Sequence, residues 1–168
     1  MKLPGKLEVL IITLSDRAHR GDYEDLSGPR IRERISEYLS STGWDHIIDV
    51  SLISDDSSIL RELLLKSSRN YNIVITTGGT GIGPRDITVD TVKPLLTIEI
   101  PGIMEFIRIK YGTEKPNALL SRGVAGIIGK SLIYTLPGSV RAVDEYMYEI
   151  LKTLIHTIYM QYGIDAHK

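Results

Sequence analysis

Residues 73–88 read IVITTGGTGIGPRDIT, a short β-branched run that meets a glycine-rich segment. The first five residues show no polar alternation, which is typical of a strand covered on both faces of a parallel sheet. Four of the next six residues are glycine, so this part of the chain predicts a turn at the end of the strand. Open parallel sheets bind ligands beyond the carboxyl ends of their strands, and this junction therefore predicts where a functional site lies.

The alternation of strand and helix patterns continues on both sides of this junction. Further strands are predicted at residues 7–14, 46–53 and 132–136. Helices are predicted over residues 29–39, 88–96, 102–111 and 140–158. A further helix follows the cap residues at 55–57 and carries Leu60, Leu63 and Leu64 on one face. Thr88 is the expected cap of the short helix that reaches Leu96, and Ser139 is the expected cap of the final helix. Strands that alternate with helices predict an α/β fold with a mostly parallel sheet, to which residues 114–131 add a hairpin or one extra strand.

Length and composition exclude several kinds of protein. The 168 residues show no composition break, so we expect a single domain over residues 1–168. The 20 basic and 21 acidic residues give a net charge of −1, which provides no basic surface for nucleic acid. No apolar run approaches the ~20 residues of a membrane span and no secretion signal is recognisable, so the expected location is the cytoplasm, away from the membrane.

The residue types also limit the chemistry. The chain has no cysteine, which excludes disulfides, thiolate metal sites and cysteine nucleophiles. The four histidines are too scattered to form a spaced pair of metal ligands; they are His19, His46, His156 and His167. Any chemistry must therefore use backbone amides, carboxylates, hydroxyls and cations.

The glycine-rich segment has two interpretations that the pattern leaves open. Successive amides in such a turn can form a concave nest for a phosphate, or the glycines can serve only a tight turn. Two familiar nucleotide motifs are absent. Val124 stands where the Walker A pattern before Gly129-Lys130-Ser131 needs glycine, and Pro84 replaces the third glycine of the dinucleotide fingerprint.

The carboxylates near these strand ends are similarly ambiguous. Asp86 follows the glycines and could hold Mg²⁺ against substrate phosphates, or it could cap the next helix or pair with Arg85. One of Asp55 and Asp56 is expected to cap a helix. The pair at residues 15–16 fits either ligand contact or the capping of a turn.

Several ordered blocks give the chain a specific resemblance. They are SDRA at 15–18, GDYEDLSGP at 21–29, TTGGTG at 76–81, PRDIT at 84–88, EIPG at 99–102, LSRGVAG at 120–126 and LPGS at 136–139. In this order the blocks resemble the molybdenum-cofactor biosynthesis MogA/MoaB family over residues 7–155. The resemblance implies a three-layer α/β/α fold with a mostly parallel central sheet that binds molybdopterin.

The resemblance also implies a reaction and its residues. Active members transfer AMP from ATP to the terminal phosphate of molybdopterin with Mg²⁺ and release pyrophosphate. The implied catalytic and metal-binding residues are Asp55 and Asp86, with Asp56 as the neighbouring alternative to Asp55. The implied ligand-binding residues are Ser15, Asp16, Thr77, Gly78, Gly79, Thr80, Gly81, Ser121, Pro137, Gly138 and Ser139. Anion-facing cations are expected at Arg17, Arg85 and Arg122.

Partners follow from the same resemblance. Molybdopterin and ATP are the expected substrates, the expected assembly is a trimeric or hexameric homo-oligomer, and the downstream molybdenum-insertion protein is a further expected partner. Thr135 departs from the family pattern, which has asparagine there. A non-catalytic molybdopterin-binding or scaffold protein is the alternative function.

Overall fold

The computed structural model describes residues 2–164, so His167 lies outside the described residues. The strands are β1 Lys6–Leu14, β2 Asp45–Ile53, β3 Ile73–Thr77, β4 Ile98–Glu99, β5 Ala125–Ile128 and β6 Ser131–Leu136. The helices are α1 Asp16–His19, α2 Ser27–Ser41, α3 Ser57–Ser67, α4 Thr88–Val92, α5 Pro101–Gly112 and α6 Val140–Gln161. Two 3-10 turns span Lys93–Leu95 and Pro116–Leu120. None of the described helices is long and apolar enough to cross a membrane.

All six strands form one sheet in the order β2-β1-β3-β6-β5-β4. β1 runs parallel to β2 and β3, and β3 runs parallel to β6. At the other end of the sheet, β5 is antiparallel to β6, and the edge strand β4 is antiparallel to β5. The mostly parallel sheet predicted from the strand and helix pattern is therefore confirmed.

Helices cover both faces of this sheet because the central strands are apolar on both sides. In β1, Val9 and Ile11 pack against the cluster that includes residues of α2, α5 and α6. The alternating residues Leu10 and Ile12 pack against the cluster that includes residues of α3 and α4. These side chains are almost completely buried, with at most 4% exposed. The three-layer α/β/α architecture is thus confirmed as well.

The structure confirms the hairpin expected from residues 114–131 and departs from the sequence pattern at β4 and at Thr88. Residues 114–131 hold a 3-10 turn and β5, which forms a hairpin with β6 through Gly129 at φ +59°. The pattern missed β4, because two residues are too few to show a period. Thr88, the expected helix cap, is instead the first residue of α4, which gives way to a 3-10 turn containing Pro94.

Asp144 on α6 joins this helix to α2 and gives the fold a pH-dependent contact. Arg30 Nε and Arg34 Nε each donate a 2.8 Å hydrogen bond to Asp144 Oδ1. The bond from Arg30 is the main reason why the pKa of Asp144 lies below its ordinary value. A carboxyl with a lowered folded-state pKa stabilises the protein above its unfolded pKa, and the stabilisation is lost as the pH falls through the folded pKa.

We therefore expect Asp144→Asn to lower Tm at neutral pH, and to lower it less as the pH falls below about 4, where the unfolded carboxyl takes up its proton. Thermal unfolding of both proteins, followed by circular dichroism across this range, measures the difference. A Tm difference that does not change with pH would show that the Asp144 charge is not the stabilising feature.

Candidate functional site

Four parallel strands end together at one edge of the sheet and bring four polar turns into contact. The sheet register pairs Leu14 with Ile53, and Thr77 with Leu136. Ser15 N donates a 3.0 Å hydrogen bond to Ile53 O, which ties the turn after β1 to the end of β2. This is the edge of the sheet at which the glycine-rich junction predicts a functional site.

Three adjoining cavities open at this edge. The carboxylate cavity has a volume of ≈ 270 Å³ and is lined by Leu14, Ser15, Asp16, Arg17, Asp55, Gly79, Gly83, Pro84, Arg85 and Asp86. The large cavity has a volume of ≈ 520 Å³, and its lining includes Gly79, Thr80, Gly81, Lys115, Ser121, Pro137, Gly138, Ser139 and Tyr146. A third cavity of ≈ 270 Å³ lies beside Ser15, Tyr23 and Ser139. Gly79 lines both of the first two cavities, so a ligand can extend from one into the other.

The structure distinguishes the two neighbouring aspartates after β2. Asp56 caps α3, since its Oδ1 accepts hydrogen bonds from the backbone N–H groups of Ser58 and Ile59 at 2.8 and 3.1 Å. Asp55 lines the carboxylate cavity and exchanges hydrogen bonds with Asp16. Asp55 Oδ2 accepts from Asp16 N at 3.1 Å, and Asp16 Oδ1 accepts from Asp55 N at 3.0 Å. This exchange fixes two carboxylates side by side on the cavity wall.

Asp86 reaches the same cavity from the glycine-rich turn. Its Oδ2 accepts a 2.7 Å hydrogen bond from Gly83 N, which holds the carboxylate against the turn. A Cβ atom at Gly81 would lie 2.7 Å from that oxygen, and one at Gly83 would lie 3.0 Å away. These two glycines therefore make room for Asp86. Asp86 has neither of the two structural roles that the sequence left open. It does not cap α4, which has no side-chain cap. It does not pair with Arg85 either, whose Nη1 instead lies 3.9 Å from Asp16 Oδ2.

Charge in the carboxylate cavity suits a divalent cation together with a phosphate chain. Three carboxylates face two guanidinium groups, a formal balance of −1. Within residues 2–164, no cation pairs with Asp55 or Asp86 within 4.0 Å, and no three His, Asp or Glu side chains could hold a metal together. Mg²⁺ commonly takes one or two carboxylates and completes its shell with water and substrate phosphates. Asp55 and Asp86 fit that mode of binding.

The beginning of the glycine-rich turn presents unused backbone donors. Gly78 and Gly79 adopt φ values of +99° and +65°, a region that favours glycine. In the described part of the chain, no acceptor bonds to the N–H groups of Gly79, Thr80 or Gly81, all three of which line the large cavity. Three successive free amides are the feature of an anion nest, which favours that interpretation of the turn over a merely tight loop.

Two of the expected ligand residues lie beneath the cavities and support them. Thr77 is buried, and its Oγ1 donates a 2.9 Å hydrogen bond to Pro137 O. Gly78 packs against the end of β1, where a Cβ atom would lie 2.4 Å from Leu14 O. Neither residue lines a cavity. They connect the turns that do.

A chain of hydroxyls crosses the large cavity. Tyr146 OH donates to Ser121 Oγ at 3.1 Å, and Ser121 Oγ donates to Thr80 Oγ1 at 3.3 Å. Burial raises the pKa of Tyr146, so its hydroxyl stays protonated at neutral pH. The helical spacing of Tyr146 indicates a packing residue, and no sequence signal shows that its hydroxyl reaches the site. The cavity volume is within the usual range of ~300–1,000 Å³ for small-molecule sites.

The three expected anion-facing arginines have different roles. Arg17 and Arg85 line the carboxylate cavity. Arg122 instead braces the glycine-rich turn, since its Nε donates to Gly81 O at 2.8 Å and its Nη1 pairs with Asp90 at 2.9 Å. The expectation for Arg122 is therefore corrected: its charge is already paired, and the Arg122 hydrogen bond lowers the pKa of Asp90.

Thr135, which replaces the usual asparagine, is fully buried in β6. Its Oγ1 accepts a 2.7 Å hydrogen bond from Val124 N and donates to Val124 O at 3.1 Å. The hydroxyl thus ties β6 to the residue before β5. Thr135 does not line any of the three cavities.

Comparisons with known proteins identify the family of the chain. A family model described as a probable molybdopterin binding domain matches residues 10–157. The chain is 35% identical to a molybdopterin adenylyltransferase of Helicobacter pylori over 90% of this chain and 86% of that one. It is 36% identical to molybdenum cofactor biosynthesis protein B of Staphylococcus carnosus over 94% of both chains. The solved structure of the tungsten cofactor synthesizing protein MoaB from Pyrococcus furiosus superposes with a TM-score of 0.80, at 33% identity, over 94% of this chain and 98% of that one.

The matches cover nearly the whole chain, and the residues that line the carboxylate cavity and the large cavity all lie inside the matched range. The chain belongs to the MogA/MoaB family of molybdenum cofactor biosynthesis, whose model is the probable molybdopterin binding domain.

Proposed function

We propose that this protein is a molybdopterin adenylyltransferase that uses ATP and Mg²⁺. The observation that carries the proposal is the presence of both Asp55 and Asp86 in the lining of the carboxylate cavity, which adjoins the large cavity. A protein that only binds molybdopterin has no need for two unpaired carboxylates next to a phosphate-binding turn. The name of the H. pylori relative supports the same activity.

The two cavities suggest how the substrates divide the site. Molybdopterin occupies the large cavity, with its terminal phosphate at the free amides of Gly79, Thr80 and Gly81. The first turn of α6, capped by Ser139, opens onto the same cavity and favours an anion through its dipole. The phosphates of ATP occupy the carboxylate cavity, between its aspartates and the guanidinium groups of Arg17 and Arg85.

The transfer then needs alignment more than proton transfer. An oxygen of the molybdopterin phosphate forms a bond to the α-phosphorus of ATP, and the bond from that phosphorus to the β-phosphate bridging oxygen breaks. The attacking phosphate is already anionic and pyrophosphate leaves with the electron pair, so no side chain has to act as a general base. Positioning and charge stabilisation supply most of the rate enhancement in such reactions.

Asp55 and Asp86 are the residues that would hold Mg²⁺. When bound, Mg²⁺ neutralises phosphate charge and orients the leaving group. Hydrogen bonds hold both carboxylates in position. Asp55 exchanges hydrogen bonds with Asp16, and Asp86 accepts one from Gly83 N. Arg17 and Arg85 are placed to stabilise the charge that develops on pyrophosphate.

A pyrophosphate-release assay tests the proposal. Purified protein, ATP and Mg²⁺ should release pyrophosphate when molybdopterin is added, and only background amounts without it. The alternative is a non-catalytic molybdopterin-binding protein, which the staphylococcal relative's more general name leaves open. Tight binding of molybdopterin with no pyrophosphate released above background would favour that alternative and refute the transferase.

A single methyl group should disturb the site through Asp86. Gly81→Ala places a Cβ atom 2.7 Å from Asp86 Oδ2, so the carboxylate has to move. A misplacement of about 1 Å can cost on the order of 100-fold in rate, and we expect a loss of this order in kcat. Gly102→Ala is the matched control, because a Cβ atom at Gly102 meets nothing within 4 Å. Equal pyrophosphate-release rates for the two variants would show that the space that Gly81 leaves for Asp86 is not needed for catalysis.

A further inference from the structure

Tyr23 contacts two residues of the carboxylate cavity at once. Its hydroxyl lies 2.8 Å from Ser15 Oγ, within hydrogen-bond distance. The guanidinium carbon of Arg17 lies 5.1 Å from the centre of the Tyr23 ring, which is cation–π distance. Ser15 and Arg17 line the carboxylate cavity, whereas Tyr23 lines the third cavity on the other side of Ser15. One side chain therefore links the hydroxyl and the cation of that wall.

Arg17 differs from the arginines that serve the fold. Arg30 and Arg122 pair with carboxylates at 2.8 and 2.9 Å. No carboxylate of residues 2–164 lies within 4.0 Å of the Arg17 guanidinium, so the Tyr23 ring is its only side-chain partner there. The ring face fixes the position of the cation and leaves its N–H donors for an anion.

The segment that carries Tyr23 is anchored on both sides. Before it, Asp22 N donates a 2.9 Å hydrogen bond to Arg17 O, which holds the chain against α1. After it, Asp25 Oδ2 accepts from Thr13 Oγ1 at 2.7 Å, and Asp25 Oδ1 accepts from Gly28 N at 3.1 Å. Nearly half of the surface of Tyr23 remains exposed, at 47%. The loop thus fixes the position of Tyr23, and the residue itself contributes little to the buried core.

We propose that Tyr23 is a positioning residue for phosphate binding, whose ring holds Arg17 at the carboxylate cavity while its hydroxyl orients Ser15. The group bound by Arg17 is the pyrophosphate part of a nucleoside triphosphate, or free pyrophosphate. This inference rests on the proposed function of the cavity and adds a residue to it. Tyr23 acts through Arg17, so the consequence of losing the ring depends on the presence of that arginine.

Binding of inorganic pyrophosphate with Mg²⁺, measured by isothermal titration calorimetry, tests this without turnover. We expect Arg17→Ala and Tyr23→Leu each to weaken binding about 10-fold. The double variant should bind within about 3-fold of Arg17→Ala alone, because the ring acts through that side chain and only the hydroxyl contact with Ser15 is lost in addition. Tyr23→Phe keeps the ring and should stay within about 3-fold of the wild type, since only one exposed hydrogen bond is lost.

Tyr148→Leu is the matched control. Tyr148 is also an exposed tyrosine that carries a cation on its ring, with Lys152 Nζ 3.9 Å from the centroid, but it lines none of the three cavities. Its loss should leave pyrophosphate binding unchanged, and the Tm of every variant should stay close to that of the wild type.

Three results would overturn the proposal: a wild-type protein that does not bind pyrophosphate, a Tyr23→Leu protein that binds it normally, or losses that add in the double variant. The result is independent of the transferase assay. A protein that binds pyrophosphate through this coupled pair but transfers no AMP would contradict the proposed function alone. A protein that transfers AMP without the coupling would contradict the role of Tyr23 alone.

Discussion

An Asp86→Asn protein should release pyrophosphate on the order of 100-fold more slowly than the wild type, or slower still, while it still binds molybdopterin. The substitution removes the charge that faces the phosphates but keeps an oxygen that can accept the 2.7 Å hydrogen bond from Gly83 N. The shape of the glycine-rich turn should therefore persist. Steady-state pyrophosphate release and a molybdopterin titration, made on the same preparation, separate the two properties.

The Tm of the Asp86→Asn protein is the control for this experiment. Asp86 is only half-buried and makes no ion pair within 4.0 Å in the described chain, so its neutralisation should leave Tm nearly unchanged. Turnover close to that of the wild type would remove Asp86 from the assigned role. A large fall in Tm would show that the aspartate serves the fold instead.

Asp55→Asn is expected to reduce turnover on a similar scale, whereas Asp56→Ala should reduce stability and leave turnover intact. The two residues are neighbours with separate contacts. Asp55 lines the carboxylate cavity, while Asp56 caps α3 through two backbone hydrogen bonds. Loss of such a cap lowers the free energy of unfolding by about 1 kcal/mol.

Comparison of the two variants tests which aspartate reaches the substrates. Pyrophosphate release is measured well below the Tm of both proteins, so that the weaker cap does not reduce the folded fraction. The reverse pattern, with turnover lost in Asp56→Ala and kept in Asp55→Asn, would place the functional carboxylate one residue further along the chain.

Much of the fold can be predicted from the sequence because its central strands are short, apolar and separated by turn residues. The pattern at 73–77 defines β3 to the residue. The edge strand β4 has two residues that pair with β5, and only this tertiary pairing makes it a strand. The mistaken cap at Thr88 has a similar origin. The Thr88 hydroxyl donates a 2.8 Å hydrogen bond to Gly78 O, across the turn, and local capping rules do not include such a contact.

The location of the candidate site could be predicted from the sequence, but the contacts within it could not. Strand order and the glycine-rich turn indicate which edge of the sheet holds the site, and family resemblance indicates Asp55 and Asp86. That Gly81 and Gly83 make room for Asp86 depends on the folded path of the turn. Tyr23 contacts Ser15 across a loop, and Tyr146 contacts Ser121 on a separate part of the chain. The local sequence around each tyrosine does not indicate these contacts.

Transfer of the α-phosphate tests the central claim most directly. The protein is incubated with Mg²⁺, molybdopterin and ATP labelled at the α-phosphate, and the products are separated after a single turnover. We predict that the label moves to molybdopterin, with one pyrophosphate released for each adenylylated product. Molybdopterin that binds tightly but never acquires the label would contradict the assignment and leave the protein as a molybdopterin-binding member of its family.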